Sequence, residues 1–154
     1  FIEQGSYYGK LLTREQNNIL SIHGVMWPKK DNAEKNQYAV KRAADHNKLR
    51  KHELSRLEND KIVRDMVEFL EKHEIRPLFV IFPFTQWYRK YIDSFYKKDI
   101  FELLNSLPQQ VELLDMNEID GFNDEDFLDT DHLSLRGAEK ATRLLVEFIK
   151  IEQM

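Results

Sequence analysis

Hydrophobic residues recur at helical spacing in three parts of the chain. Between Asn59 and His73, apolar residues three or four positions apart predict an amphipathic helix; they are Ile62, Val63, Met66, Val67, Phe69 and Leu70. A second helical region is predicted from Trp87 to Leu104, stopping near Pro108. A final helix is predicted from about Ser134, with one apolar face made of Ala141, Leu144, Leu145, Phe148 and Ile151.

Two short apolar runs predict β-strands instead. Residues 78–82 form a continuous run between Pro77 and Pro83, which is typical of a strand buried on both faces, and residues 111–115 form a second, shorter run. A helical crossover of this length usually makes two strands parallel, with helices covering the sheet. The order predicts an α/β fold, a partial three-layer α/β/α arrangement with a parallel sheet. Because two strands do not complete a sheet, we expect the chain to be a segment of a larger domain.

The N-terminal third of the chain lacks this sharp pattern. Residues 1–31 are predicted to be loop, with one short helix between Arg14 and Ile22, and residues 32–56 to be a helix whose many charges form a solvated face. We therefore divide the chain into an N-terminal loop and charged helical segment, residues 1–58, and a C-terminal α/β part, residues 59–154.

Composition and charge narrow the class of protein. With 154 residues, 42% of them hydrophobic and 32% charged, the chain fits one ordinary globular domain. A net charge of −4 argues against nucleic-acid binding, and the longest apolar run, residues 78–84, is too short to cross a bilayer. The chain has no cysteine, which excludes disulfides, thiolate metal sites and a cysteine nucleophile. It starts without Met or a recognisable signal peptide, so we expect any targeting or anchoring segment to lie upstream.

The candidate chemistry lies between the second strand and the last helix. Asp129 precedes His132 by three residues, so its carboxylate can accept a hydrogen bond from the imidazole Nδ1 and leave Nε2 free as a base for a hydroxyl nucleophile. Ser134 can cap the following helix, and Gly137 permits close packing of its first turn. The competing interpretation is a surface loop in which Asp129 caps that helix.

Other polar groups in the sequence have ordinary interpretations. The acidic residues could bind a divalent cation, but they do not follow an EF-hand pattern, and we expect no metal and no cofactor; they are Asp124, Glu125, Asp126, Asp129 and Asp131. The remaining histidines are expected to be surface residues; they are His23, His46, His52 and His73. The aromatic residues that follow the first strand are expected to serve packing more than binding; they are Trp87, Tyr88 and Tyr91.

The segment from Asp129 to Ser134, followed by Gly137, resembles the last motif of SGNH (GDSL-like) hydrolases, whose signature is Asp-x-x-His. The resemblance implies that Asp129 is the acid and His132 the base of a catalytic triad. Residues 60–150 are most similar to the C-terminal region of the D-alanine transfer proteins of lipoteichoic acid synthesis, through Pro83, Trp87 and an Arg-Gly pair behind the motif. Pro83 and Trp87 are then candidate substrate-binding residues. The chain departs from that group by having Thr85 in place of Asn, and Leu135 and Ala138 in place of aromatic residues.

The resemblance implies an SGNH-type esterase or acyltransferase that acts on a cell-envelope glycan or teichoic acid, with an acyl donor protein as partner and an extracytoplasmic location. The motif that supplies the nucleophile, Gly-Asp-Ser after a strand, is missing; Ser6 follows a glycine but no strand, so this segment alone is expected to be inactive. A non-catalytic binding or assembly domain on the same scaffold is the alternative. A flavodoxin-like regulatory domain is a weaker one.

Overall fold

The computed structural model describes residues 27–151. These form five α-helices, two strands and four 3-10 turns. The helices are α1 Asn32–Asn47, α2 Glu53–Lys72, α3 Gln86–Arg89, α4 Phe95–Asn105 and α5 Leu135–Ile151, and the strands are β1 Leu78–Ile81 and β2 Glu112–Asp115. The 3-10 turns are Trp27–Lys29, Lys48–Lys51, Met116–Glu118 and Asp124–Asp126. The expected helix at Arg14–Ile22, together with Ser6 and His23, lies outside the described residues.

The two strands pair in parallel, as the sequence predicts. Leu78 lies opposite Glu112 and Ile81 opposite Asp115. The class is therefore mixed helix and strand, and most of the described residues are helical. The expectation that β1 is buried on both faces is confirmed only in part, since its side chains contact core on each face but all four residues remain half-buried. Each strand has a single neighbour in the described part of the chain, so its other edge is uncovered there.

Apolar side chains from both strands enter two separate core clusters. Phe79 and Leu113 pack against the first cluster, which is centred on Val67 of α2 and on Leu104 and Leu107 at the end of α4. The second cluster contains Leu114, Met116 and Ala141, and it is joined by residues of β1, of the loop after β2 and of α5; these are Leu78, Val80, Ile119, Phe122, Leu133, Leu144, Leu145 and Phe148. Because side chains alternate along a strand, the two clusters lie on opposite faces of the sheet.

The helix boundaries differ from expectation in the N-terminal half. α1 begins after a capping box in which Asp31 and Glu34 satisfy each other's backbone N–H groups, and it ends at Asn47. α2 begins at Glu53 and continues to Lys72, so the boundary expected between residues 58 and 59 falls inside one helix. The segment 53–58 has no apolar face to reveal it, since Leu54 and Leu57 are both exposed.

The long helical region expected from Trp87 to Leu104 is two helices, α3 and α4, separated by a turn at residues 90–94. α5 agrees with expectation except at its end, where Ile151 is exposed instead of packed. Within residues 27–151 no helix combines the length and the apolar character that crossing a bilayer requires.

Candidate functional site

The Asp-x-x-His loop is closed by backbone hydrogen bonds across its base. Phe127 and Leu133 form an antiparallel bridge, and the Leu128 N–H donates to the His132 carbonyl at 2.9 Å. One residue further out, the Ser134 N–H donates to the Asp126 carbonyl, also at 2.9 Å. The segment 128–132 is therefore a tight loop at the carboxyl-terminal side of the strands, where open α/β sheets place their sites.

A second contact ties this loop to the end of β1. The Thr130 carbonyl accepts hydrogen bonds from the Thr85 backbone N–H at 3.2 Å and from its hydroxyl at 2.8 Å, and both side chains are fully buried. The Thr85 hydroxyl oxygen also accepts from the Tyr88 N–H and so caps α3. Thr85, which stands where the resemblance leads us to expect Asn, joins the loops that follow the two strands.

Asp129 and His132 lie together as the sequence predicts. His132 Nδ1 is 2.9 Å from Asp129 Oδ2 and 3.0 Å from Oδ1. The same carboxylate accepts the backbone N–H groups of Asp131 at 2.9 Å and of His132 at 2.8 Å. The Asp129 side chain is 13% exposed and the His132 ring 54% exposed. Among residues 27–151 no hydrogen bond engages Nε2 of this ring.

The pKa values of this pair move in the directions that a base held by a carboxylate requires. The hydrogen bond that His132 donates to Asp129 raises the pKa of His132 above 6.5, against a smaller opposing effect of burial. Burial by itself would raise the pKa of Asp129, but the hydrogen bonds from His132 and from the Asp131 backbone together hold it below 3.8. The imidazolium form of His132 is thus stabilised, as a general base requires once it has taken a proton.

Arg42 of α1 binds the neighbouring carboxylate of the same loop. Its Nε lies 3.0 and 3.1 Å from the two oxygens of Asp131, and its Nη2 lies 3.0 Å from Oδ2. The Asp131 side chain is only 7% exposed. Closer to the start of α1, the nearly buried Lys35 pairs with Asp124 at 2.7 Å. The expectation that the charges of residues 32–56 are merely a solvated face is therefore wrong for this side of α1. Here Lys35 and Arg42 form ion pairs with buried or half-buried carboxylates of the loop.

His46, one helical turn after Arg42, is not an ordinary surface histidine. It is half-buried and its Nδ1 lies 2.5 Å from the hydroxyl of Tyr88, which is buried. Burial lowers the pKa of His46 and raises the pKa of Tyr88 to about 12, so this pair is neutral near pH 7. His52 and His73 are exposed, as expected.

The start of α5 confirms the roles expected of Ser134 and Gly137. The Ser134 hydroxyl accepts the Gly137 N–H at 3.2 Å and donates to the Glu125 carbonyl at 2.9 Å. A Cβ on Gly137 would lie 2.0 Å from the Asp126 carbonyl oxygen, so no larger residue fits. Since Ser134 caps α5, the competing interpretation of Asp129 as the helix cap is wrong; its carboxylate is used within the loop.

Three acidic residues of the loop are paired with cations, namely Asp124, Asp126 and Asp131. Asp126 is fully buried and bound by Arg136 and Lys140 of α5, each at 3.1 Å. Oxygen or nitrogen atoms of Asp129, Asp131 and His132 come within 4.8 Å of one another, the one such group in the described residues. Both Asp131 oxygens are held by Arg42 and both Asp129 oxygens by N–H groups, so this arrangement is an ion-pair network and not a set of free metal ligands.

Pro83 and Trp87, the candidate substrate-binding residues, lie between the end of β1 and the end of α3. Pro83 is buried and lines a crevice of about 270 Å³ between the loops that follow β1 and β2. Trp87 is half-buried, and its indole N–H is buried with no hydrogen-bond partner among the described residues. A larger groove of about 770 Å³ lies between α1, α3 and α4 and includes His46 and Tyr88. Neither cavity is lined by Asp129 or His132.

The other two aromatic residues of this region serve packing, as expected. Tyr88 packs edge-on against Phe84, and the Tyr91 hydroxyl donates to Asn36 Oδ1 at 2.5 Å. Both side chains therefore fasten the segment after β1 to its surroundings and to α1.

A protein-family model matches residues 25–153, and its description assigns the family no function. The chain belongs to that uncharacterised family. Its match begins before α1 and continues through α5, so the family includes the N-terminal helix together with the Asp-x-x-His loop. No curated protein and no solved structure matches the chain.

Proposed function

We propose that this chain supplies the acid and base of an SGNH-type serine esterase or acyltransferase, with Asp129 orienting His132. The observation that carries the proposal is the Asp129 carboxylate bound to Nδ1 of a half-exposed imidazole at 2.9 Å, with Nε2 not hydrogen-bonded to any described residue. That arrangement fixes the tautomer in which Nε2 can accept a proton.

In the proposed reaction, Nε2 of His132 takes the proton of a serine hydroxyl while the serine oxygen attacks the carbonyl carbon of an ester. The imidazolium then returns this proton to the leaving alcohol oxygen, and a serine ester remains. Water or a second alcohol is deprotonated by the same nitrogen and releases the acyl group. Among residues 27–151, the hydroxyls near the loop are already engaged; they belong to Thr85, Thr130 and Ser134. The nucleophile is therefore proposed to come from outside the described residues.

The two core clusters on opposite faces of the sheet support the finer fold proposal, a part of a three-layer α/β/α domain. The uncovered strand edges are where the remaining strands of such a sheet would pair. The proposed substrate comes from the sequence resemblance alone. It is a cell-envelope glycan or teichoic acid outside the cytoplasm, and the proposed acyl group is D-alanyl.

The test uses the natural full-length protein, a fluorophosphonate probe that labels activated serines, and p-nitrophenyl acetate as ester. His132→Ala is expected to reduce labelling and turnover by on the order of 10⁴-fold or more, and Asp129→Asn by about 10³–10⁴-fold. The matched control is His52→Ala, because His52 is exposed and its side chain caps nothing. If His132→Ala reacts as fast as His52→Ala, this chain carries no catalytic base and the proposal is wrong.

A further inference from the structure

Two carboxylates compete for one imidazole in the Asp-x-x-His loop. Asp129 Oδ2 lies 2.9 Å from His132 Nδ1, and Asp131 Oδ2 lies 4.0 Å from the same nitrogen. A small rotation of the Asp131 side chain would bring a second acceptor to Nδ1. The ring would then have two possible partners and two orientations.

The guanidinium of Arg42 binds the carboxylate of Asp131. Three N–O distances of 3.0–3.1 Å join the guanidinium to both oxygens, a two-point hold that fixes orientation as well as charge. The hydrogen bond to Asp131 raises the pKa of Arg42, so the guanidinium stays charged throughout. We infer that Arg42 is a positioning residue of this site, which holds the Asp131 carboxylate away from His132 and leaves Asp129 as the sole partner of the imidazole. The inference rests on the proposed function, since a single orientation of the ring is what a base facing one nucleophile requires.

The rest of α1 and of the loop is anchored without Arg42. Lys35 binds Asp124, and Asn47 donates to the Tyr91 carbonyl, so α1 has contacts on either side of residue 42. The loop backbone is held separately through Thr130 and Thr85. Substitution of Arg42 therefore frees one carboxylate without detaching the helix or opening the loop.

Several ionisable groups act on the His132 ring from different elements. Asp129 and Asp131 raise its pKa from within the loop, and Arg42 lowers it from α1. The pKa of His46, also on α1, is lowered by burial, which keeps it uncharged in the neutral range. Tyr38 on α1 and Tyr88 on α3 lie near these carboxylates, and both have raised pKa values, so they stay neutral. Removal of the charge of Arg42 or of Asp131 is therefore expected to change the pKa of His132.

The test measures the pKa of His132 by NMR in the full-length protein labelled with ¹³C-histidine, with His132→Gln to assign the signal. Arg42→Gln is expected to raise the pKa of His132 by about 0.7 units or more, 0.7 units being the effect of one unit charge at 4 Å with water-like screening. Asp131→Asn is expected to lower it, because the unpaired Arg42 then acts alone. The double variant Arg42→Gln/Asp131→Asn is expected to return to within about 0.3 units of the native value.

The interaction between the two substitutions separates positioning from a plain effect of charge. If Arg42 holds Asp131 away from the ring, Arg42→Gln raises the pKa of His132 more in the native background than in Asp131→Asn, because only there is a carboxylate released; equal shifts in the two backgrounds would mean that Arg42 acts by its charge alone. Such a result, or an unchanged pKa in Arg42→Gln, would overturn the inference. Arg42→Lys keeps the charge without the two-point hold and is expected to shift the pKa by less than half as much as Arg42→Gln. The titration needs no turnover, so its failure is distinguishable from loss of the proposed activity.

Discussion

The structure leaves no room for a side chain at Gly137. A Cβ added there would meet the Asp126 carbonyl oxygen at 2.0 Å and the Leu133 side chain at 3.0 Å. The obstructing oxygen belongs to the backbone and already accepts the Ser134 N–H. It cannot swing aside as the end of a side chain could, so Gly137→Ala must push α5 and the Asp-x-x-His loop apart.

Opposing effects decide how much Gly137→Ala destabilises the protein. Alanine favours the helix over glycine by about 1 kcal/mol. Overpacking costs about 1–3 kcal/mol, and here it falls at the upper end because the contact must open from 2.0 Å to at least 3.4 Å. Stretching the Ser134–Asp126 hydrogen bond removes about 1 kcal/mol more. We therefore expect a net loss of about 3 kcal/mol in the free energy of unfolding.

Urea and thermal denaturation followed by circular dichroism measure this loss, which corresponds to a decrease of about 6–12 °C in Tm. The matched control is Glu139→Ala in the same helix, an exposed position at which we expect a change within about 0.5 kcal/mol. A Gly137→Ala protein as stable as the native one would refute the reasoning, because the helix preference would then outweigh a backbone contact that the structure does not allow.

Two further predictions concern the loop. Thr85→Val removes the buried hydroxyl that donates to Thr130, so we expect urea denaturation to show a loss of about 1–2 kcal/mol in the free energy of unfolding. The control is Thr142→Val, which removes an exposed hydroxyl bonded within its own helix and should cost little; equal losses in the two variants would contradict the special role of Thr85. The pKa of His132 is raised on folding, so its stabilising contribution is complete below pH 6.5 and fades as the pH rises through the folded value, while that of Asp129 is present above pH 3.8 and is lost as the pH falls through its lowered value. The stability difference between the native protein and His132→Gln should therefore be larger at pH 5.5 than at pH 9, and a constant difference would show that the pair is not coupled to folding.

Local patterns were sufficient for the strands and for the end helix. The apolar runs at residues 78–82 and 111–115 and the face of Ala141 and Phe148 are statements about spacing within one element, and the structure confirms them. Burial on both faces of β1 was not predictable in this way, because burial depends on how many strands lie beside it. The start of α2 was missed because its first turns are helical without an apolar face.

The same distinction between local pattern and tertiary packing applies to the candidate site. Asp129 and His132 are three residues apart in a tight loop, so sequence spacing alone brings a carboxylate to the imidazole. Pro83 also follows a strand, but it lines a crevice that neither Asp129 nor His132 lines, since the direction of a side chain after a strand depends on the loop that packs over it.

By itself, the order of residues determined every relation that a few neighbouring positions can enforce: helix periodicity, the serine cap, the demand for glycine, and the acid beside its base. Only the tertiary structure decided which distant charge stands next to that base. Arg42 is 89 positions from Asp131 and lies in a helix whose charges the sequence pattern predicts to be solvated. The physical reason is that a cation on a helix has no assigned partner until packing removes water from one face and leaves a single carboxylate within reach.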